Sequence, residues 1–289
     1  MRTFRIRCMP EKAVQCIMNH AASESFYYLS DVQCNCVCME VLYMYILDME
    51  VYTMMKKIDH RKMGRSCLGW LDSWFHFSFA EYYNPKNMHY GVLRVVNDDT
   101  IQPHTGFETH PHRDMEIITY VIEGELTHAD SMQNVSTLKR GEIQYMSAGT
   151  GAFHSEKNDG EEILRLLQIW ILPDRSGYTP QYGEARIPWE ARENRLLHIV
   201  SGHKNTAYVQ IHQDLDIYVS ALSSRKELDI PVEPSRQVYL IVIEGEVECN
   251  DICLQQRDAV EIDESFCIKT LQGAHVILFD MAREVYFQE

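Results

Sequence analysis

Glycine does not occur before Gly64, although the chain of 289 residues holds 14 of them. The first 54 residues also contain a single proline, Pro10. A segment so poor in turn residues has little means of reversing direction. It is rich instead in sulfur: eight of the 14 methionines and five of the nine cysteines lie at or before Met55. Residues 1–54 are therefore set apart as an N-terminal extension. It is expected to be poorly structured, or to be sequence upstream of a start at Met54 or Met55. Its Cys34, Cys36 and Cys38 are one residue apart and lack the second, wider-spaced pair that structural zinc sites use. They are not taken as a metal site.

Other absences exclude whole classes. No run is both long and uncharged: the most apolar stretch, residues 37–55, carries Glu40, Asp48 and Glu50, so it is not expected to span a membrane. The start of the chain lacks the pattern of a secretory signal. The cysteines are odd in number and irregular in spacing, which suits reduced thiols and a cytoplasmic location. Basic residues are scarce, 27 against 42 acidic ones, giving a net charge of -15. Such a chain repels a phosphate backbone, so direct nucleic-acid binding is not expected.

From about residue 68 the texture changes to short runs rich in Val, Ile, Tyr and Phe, divided by Gly, Asp and Asn. Examples are YGVLRVVND, MEIITYVIEG, GEIQYMSAG, LRLLQIWIL, QVYLIVIEGEVEC and HVILFD. Many short strands of this kind predict an all-β sandwich or barrel. An internal echo adds that there are two. MEIITYVIEGELTH (115–128) and RQVYLIVIEGEVEC (236–249) share a strand, Val-Ile-Glu-Gly-Glu and a second strand. Tandem related modules follow. The expected division is a metal-binding barrel at 55–180 and a second barrel at 181–289, with a strandless linker through residues 174–188.

Chemistry concentrates at ETHPHRDME. Residues i and i+2 of a strand share a face, so His110 and His112 project together. Some 40 residues on, His154 and Glu156 repeat the spacing after a Gly-rich turn. Three imidazoles and a carboxylate from neighbouring strands suit a divalent transition metal, with positions left for water, substrate or dioxygen. A lone H-x-H is more often a polar turn; the second pair makes coincidence much harder. Gly141, Gly149 and Gly151 lack the Lys-Ser/Thr ending of a phosphate loop and fit turns between strands. Tyr120, Gln144, Met146 and Phe153 flank the four residues and are candidates to line a cavity. His128, close after the first strand pair, is near enough to stand behind them but, like the other isolated histidines, is not taken as part of the site.

The spacings from Gly106 to Gly124 and from Gly141 to Asn158 resemble the two cupin motifs. Within cupins, WLDSWFHFSFAEYY (70–83), LRVVNDD (93–99), the run 109–134 and MSAGTGAFHSE (146–156) closely resemble the pirin family. The resemblance covers roughly residues 60–289 and leaves out the first 54. It implies two tandem cupin barrels of jelly-roll type, the first binding one metal, usually Fe(II), through His110, His112, His154 and Glu156. Mn, Co, Ni, Cu and Zn accept the same ligand types. Glu116 stands where other cupins place a ligand carboxylate, but pirins do not use it. In the second barrel, aligning Glu244-Gly245 on Glu123-Gly124 puts Val232 and Glu233 near the histidine pair, and FCIKTLQGAH replaces FHSEKN. That barrel is expected to be metal-free and structural.

Some pirins are quercetin 2,3-dioxygenases, which open the central ring of a flavonol and release carbon monoxide. The resemblance thus implies a flavonol-like aromatic substrate, with Glu156 as the catalytic proton acceptor. Others are described as iron-dependent redox sensors or transcriptional cofactors working through protein partners. A third implied role is a cupin enzyme whose substrate is not a flavonoid.

Overall fold

The computed structural model describes residues 55–203 and 207–283. The N-terminal extension, with its three closely spaced cysteines, lies outside the described residues. Those described form 21 strands and no α-helix. Two short 3-10 turns, His60–Lys62 and Trp189–Arg192, are the other regular elements. No helix among the described residues is long and apolar enough to cross a membrane.

The N-terminal half contains β1 (Met55–Ile58), β2 (Gly64–Cys67), β3 (Leu71–Phe75), β4 (Leu93–Ile101), β5 (Thr105–His112), β6 (Glu116–Glu123), β7 (Glu125–Asp130), β8 (Val135–Lys139), β9 (Ile143–Ser147), β10 (Ala152–Asn158), β11 (Leu164–Ile171) and β12 (Gln181–Ala185). The C-terminal half contains β13 (Leu197–Ser201), β14 (Val209–Gln210), β15 (Leu215–Leu222), β16 (Glu227–Ile230), β17 (Arg236–Cys249), β18 (Ile252–Gln255), β19 (Ala259–Ile262), β20 (Phe266–Lys269) and β21 (Ala274–Ala282). A seven-stranded sheet, β12-β9-β6-β11-β4-β3-β2, and a four-stranded one, β5-β10-β7-β8, make the first barrel. The second is built on β1-β19-β17-β21-β15-β13-β14, with β16, β18 and β20 attached through the far end of β17. The all-β fold of two tandem barrels is as the sequence predicts.

The central strands are apolar on both faces, and the packing explains why. On β6, Ile118, Tyr120 and Ile122 join one large core cluster with Leu167 and Ile169 of β11 and with Tyr239, Ile241, Ile277 and Phe279 of the second barrel. Their alternates Ile117 and Val121 face the inside of the first barrel. The same alternation on β17 sends Tyr239 and Ile241 to the shared seam and Val238, Leu240 and Val242 into the second core. A strand buried on both sides reads as a continuous apolar run rather than an alternating one. Each Ile or Leu so buried contributes about 1.5–3 kcal/mol.

A polar network crosses the seam. The fully buried Arg192 donates to the Tyr120 hydroxyl and, at 2.8 Å, to the Gly141 carbonyl. The Tyr120 hydroxyl lies 2.8 Å from His275 Nε2, and His275 Nδ1 lies 3.2 Å from Glu244. Tyr120 is therefore part of the seam and does not line the first barrel, contrary to its sequence reading.

The internal echo is a repeated bulge. Gly124 (φ 75°) follows the end of β6 and Gly245 (φ 80°) lies within β17, and both take the left-handed region directly after Val-Ile-Glu. A Cβ at either would come within 2.4 Å of a carbonyl oxygen, that of Ile163 or of Gly273. No other residue fits.

One strand crosses between the halves, and a second is added at an edge of its own. β1 pairs with β19, Met55 opposite Ile262, and so extends the second barrel's sheet. β12 pairs with β9, Gln181 opposite Ser147, and so extends the first. The stretch expected to be a strandless linker thus contains a strand. Its residues are exposed to half-buried, so they carry no apolar period; the open edge of β9 supplies the hydrogen bonds instead.

Candidate metal centre

β10 alternates cleanly, with Ala152, His154, Glu156 and Asn158 turned inward and buried. It lies antiparallel to β5 with His154 opposite His110 and Ala152 opposite His112. The two spaced pairs therefore meet on one inner face. The register slips between His154 and Glu156, so that Glu156 faces Phe107. This bulge takes up one extra β5 residue beside the site, a common device for re-aiming side chains.

The three imidazoles converge. Ring centroids are 4.5 Å apart for His110 and His154, and 4.8 Å for His112 to each of the others. His110 Nε2 and His154 Nε2 are 3.1 Å apart. His110 Nδ1 lies 2.8 Å from the Glu108 carbonyl, to which it donates, leaving a lone pair on Nε2 directed at the other rings. His112 Nε2 is buried with no hydrogen-bond partner. Burial holds the His112 imidazole down at about 4, with His110 adding to the effect. Burial and the neighbouring His110, His112 and His128 hold His154 down to about 2. At neutral pH both are uncharged and offer lone pairs, the form a metal ion requires. An unpartnered buried imidazole nitrogen facing two others is a poor arrangement without a cation and a good one with it.

Glu156 stands slightly apart. His110, His112 and His154 have ligand atoms within 4.8 Å of one another, whereas Glu156 makes such a group with His154 and His128. Its carboxylate accepts from Thr119 Oγ1 at 2.7 Å and from Gln168 Nε2. Burial pushes its pKa up to about 7; the two hydrogen bonds pull the other way. Glu116 is committed elsewhere: it accepts from Tyr145 and Ser147 at 2.6 Å each and from the His212 backbone N–H at 3.2 Å.

His128 is the residue the sequence reading undervalued. It is fully buried, opposite Glu156 in the β7–β10 register, 5.5 Å from the His154 ring and stacked on Tyr182 at 5.0 Å. Its Nδ1 has no hydrogen-bond partner, and its Nε2 lies 3.5 Å from the buried Asp130 carboxylate.

The site opens on a cavity of about 520 Å³. Its walls include Trp70, Phe75, Phe79, Phe107 and Trp170, with His110, His112, Glu156 and Gln168 at one side. The other residues proposed from sequence as lining lie elsewhere: Met146 packs with Ile117 and Ala152, Phe153 is exposed, and Gln144 is buried outside this cavity. The aromatic wall comes from β3 and the residues on either side of it, β5 and β11, segments too far apart in sequence to be linked by spacing.

Strand register identifies what the second barrel has at the same places. Cys249 pairs with Ile268 as His128 pairs with Glu156, and Ile230 pairs with Phe266 as His110 pairs with His154. Ile230, Phe266 and Ile268 thus replace two histidines and the glutamate, all within the second core. The histidine pair corresponds to Ile230 and Val232, not to Val232 and Glu233 as sequence offsets suggest. One more residue separates Val232 from Gly245 than separates His112 from Gly124, and this accounts for the slip.

The pirin family model matches residues 56–171, and a quercetinase C-terminal cupin domain matches residues 198–281. The chain is 41% identical over 221 residues to a quercetin 2,3-dioxygenase of Escherichia coli K12, covering 75% of this chain and 94% of the relative. It is 40% identical over 224 residues to a pirin-like protein of Caulobacter vibrioides, covering 76% and 97%. Among solved structures, Escherichia coli YhhW superposes with a TM-score of 0.75 at 37% identity, covering 80% of this chain and 99% of its own. A second structure, of bacterial pirin YhhW in complex with nickel(II), gives 0.74, covering 80% and 100%.

Proposed function

This chain belongs to the pirin family, and from that premise we propose that it is a metal-dependent dioxygenase that opens the ring of a flavonol. The observation that carries the proposal is the convergence of His110, His112 and His154 beside a carboxyl poised to exchange a proton, at the edge of an aromatic-walled cavity. The three histidines, with Glu156, would hold one divalent ion, Fe(II) being our choice. A relative's structure holds nickel(II). When bound, the ion supplies Lewis acidity and a meeting point for dioxygen and an enolic hydroxyl.

The chain's own groups do the rest. Trp70, Phe107 and Trp170 offer flat apolar surface to a fused aromatic ring and exclude bulk water. Trp170 also packs edge-on against His112 at 4.8 Å, fixing that ring. Glu156, with a pKa near neutrality, can take a hydroxyl proton from a ligand in the cavity. Thr119 and Gln168 hold its two oxygens in place meanwhile. Its proton-accepting role and its place among the metal ligands are both part of the proposal.

The test is elemental analysis of protein purified without added metal, followed by oxygen uptake with quercetin. About one iron per chain and quercetin-dependent oxygen consumption, both diminished in Glu156→Ala, are expected. Metal without turnover would favour the redox-sensor reading, in which a protein partner reads the site. Failure to bind any divalent ion after reconstitution would remove the basis of both.

A further inference from the structure

The side of the cavity formed by β3 and β4 carries polar groups that neither the metal ligands nor the fold explains. Asp99 is 2% exposed and lines the cavity. One of its carboxylate oxygens accepts from Ser73 Oγ at 2.5 Å. Among the described residues the other oxygen has no hydrogen-bond partner. Asn97, two residues back on the same face, also lines the cavity, and its buried Oδ1 has no partner either. Two bare acceptors beside Phe75, Leu71 and Phe107 are costly unless something donates to them.

Their placement relative to Glu156 is set by the sheet. Gln168, which holds Glu156, pairs with Asn97 on β4, whereas Asp99 pairs with Leu166. Asp99 is therefore one strand over and two residues along from Gln168. Strand spacing and rise put the two backbones about 8 Å apart on the diagonal. That is the scale of a fused two-ring aromatic.

Resting on the dioxygenase reading above, we propose that Asp99, positioned by Ser73 and assisted by Asn97, is a second substrate anchor that receives a phenolic hydroxyl on the fused ring, remote from the hydroxyl facing the histidines. The preferred substrate class is then a flavonol hydroxylated on that ring, not one bearing a single enolic hydroxyl. Burial pushes the Asp99 carboxyl up to about 7, so it is available both as acceptor and as donor near neutral pH.

The experiment compares 3-hydroxyflavone with 3,7-dihydroxyflavone binding to the metal-loaded protein by calorimetry. Wild type is set beside Asp99→Leu and the isosteric Asp99→Asn. Wild type should prefer the dihydroxylated compound by about tenfold or more, the scale of a buried hydrogen bond to a charged partner. Asp99→Leu should abolish that preference while changing 3-hydroxyflavone affinity less than about threefold and leaving metal content at the wild-type level. Asp99→Asn should weaken the preference and serves if the leucine variant does not fold. Equal affinity of wild type for both compounds, or a preference that survives both substitutions, overturns the anchor and leaves the dioxygenase reading standing. Binding of neither compound overturns both.

Discussion

Glu156 and Ile268 occupy the same place in the two barrels: each is paired across its sheet, Glu156 with His128 and Ile268 with Cys249. One barrel has kept a polar interior and the other has filled the equivalent space with hydrocarbon. The difference has a measurable cost in the first barrel, because its buried groups must stay neutral or find partners.

His154→Phe copies Phe266 into the first barrel and tests that cost. The folded-state pKa of His154 is about 2, below its ordinary value of 6.5. The unfolded chain therefore takes up a proton at this residue as pH falls below 6.5, and the folded chain does not. Stability present above 6.5 is lost on acidification, at about 1.4 kcal/mol per pH unit for this group. The phenylalanine variant, measured metal-free, should lose about 2 kcal/mol less than wild type between pH 6.5 and pH 5 in urea titrations. It should also bind no metal at this site. Equal losses for the two proteins would mean that the imidazole is hydrated enough to be protonated in place.

Thr119→Val removes the donor to Glu156 Oε1. That hydrogen bond favours the ionised carboxylate, so its loss should raise the pKa above the present value of about 7. The acid limb of kcat/KM for a flavonol should move to higher pH. A limb that does not move would show that another group takes the proton.

Tyr120→Phe deletes the hydroxyl shared by Arg192 and His275. Two buried groups each lose a partner, which should lower stability by about 1–3 kcal/mol. Metal content should be unchanged, because the Tyr120 side chain faces the seam and not the interior of the first barrel. Loss of metal together with stability would instead tie the seam to the site.

Gly124→Ala and Gly245→Ala make the same demand at two places. Each puts a Cβ within 2.4 Å of a carbonyl oxygen at a positive φ. Each should destabilise by about 2 kcal/mol or more, read as a fall in the denaturant midpoint. An effect confined to one glycine would show that the repeated bulge is not equally rigid in the two barrels.

The sequence made the four outstanding residues legible because both pairs obey a rule of local geometry. His110 and His112, and His154 and Glu156, sit at i and i+2 on strands whose flanking turns are marked by glycine. His128 was not legible in the same way. Its meaning comes from standing opposite Glu156 across a sheet, and no spacing along the chain encodes that. Asp99 was obscured by its neighbours: Asn97, Asp98 and Asp99 read as a polar end to a strand, yet β4 continues through them to Ile101. Asp98 is drawn the other way, into a 2.8 Å contact with Arg165, so adjacent carboxyls serve opposite faces. The barrels were visible in the echo of Val-Ile-Glu-Gly-Glu, but the crossing of β1 and the edge strand β12 were not. β1 and β12 are edge strands held by backbone hydrogen bonds, and their side chains carry little of the burial signal.

The crossing of β1 sets an order of events. Lys56 of this strand meets Glu261 of β19, 205 residues later. During synthesis the edge that β1 will cover does not yet exist, and the strand must wait through nearly the whole of translation for its neighbour. Pairings this distant close slowly. Until then the first barrel can assemble around its histidines, so the metal site is free to form well before the molecule is fastened shut.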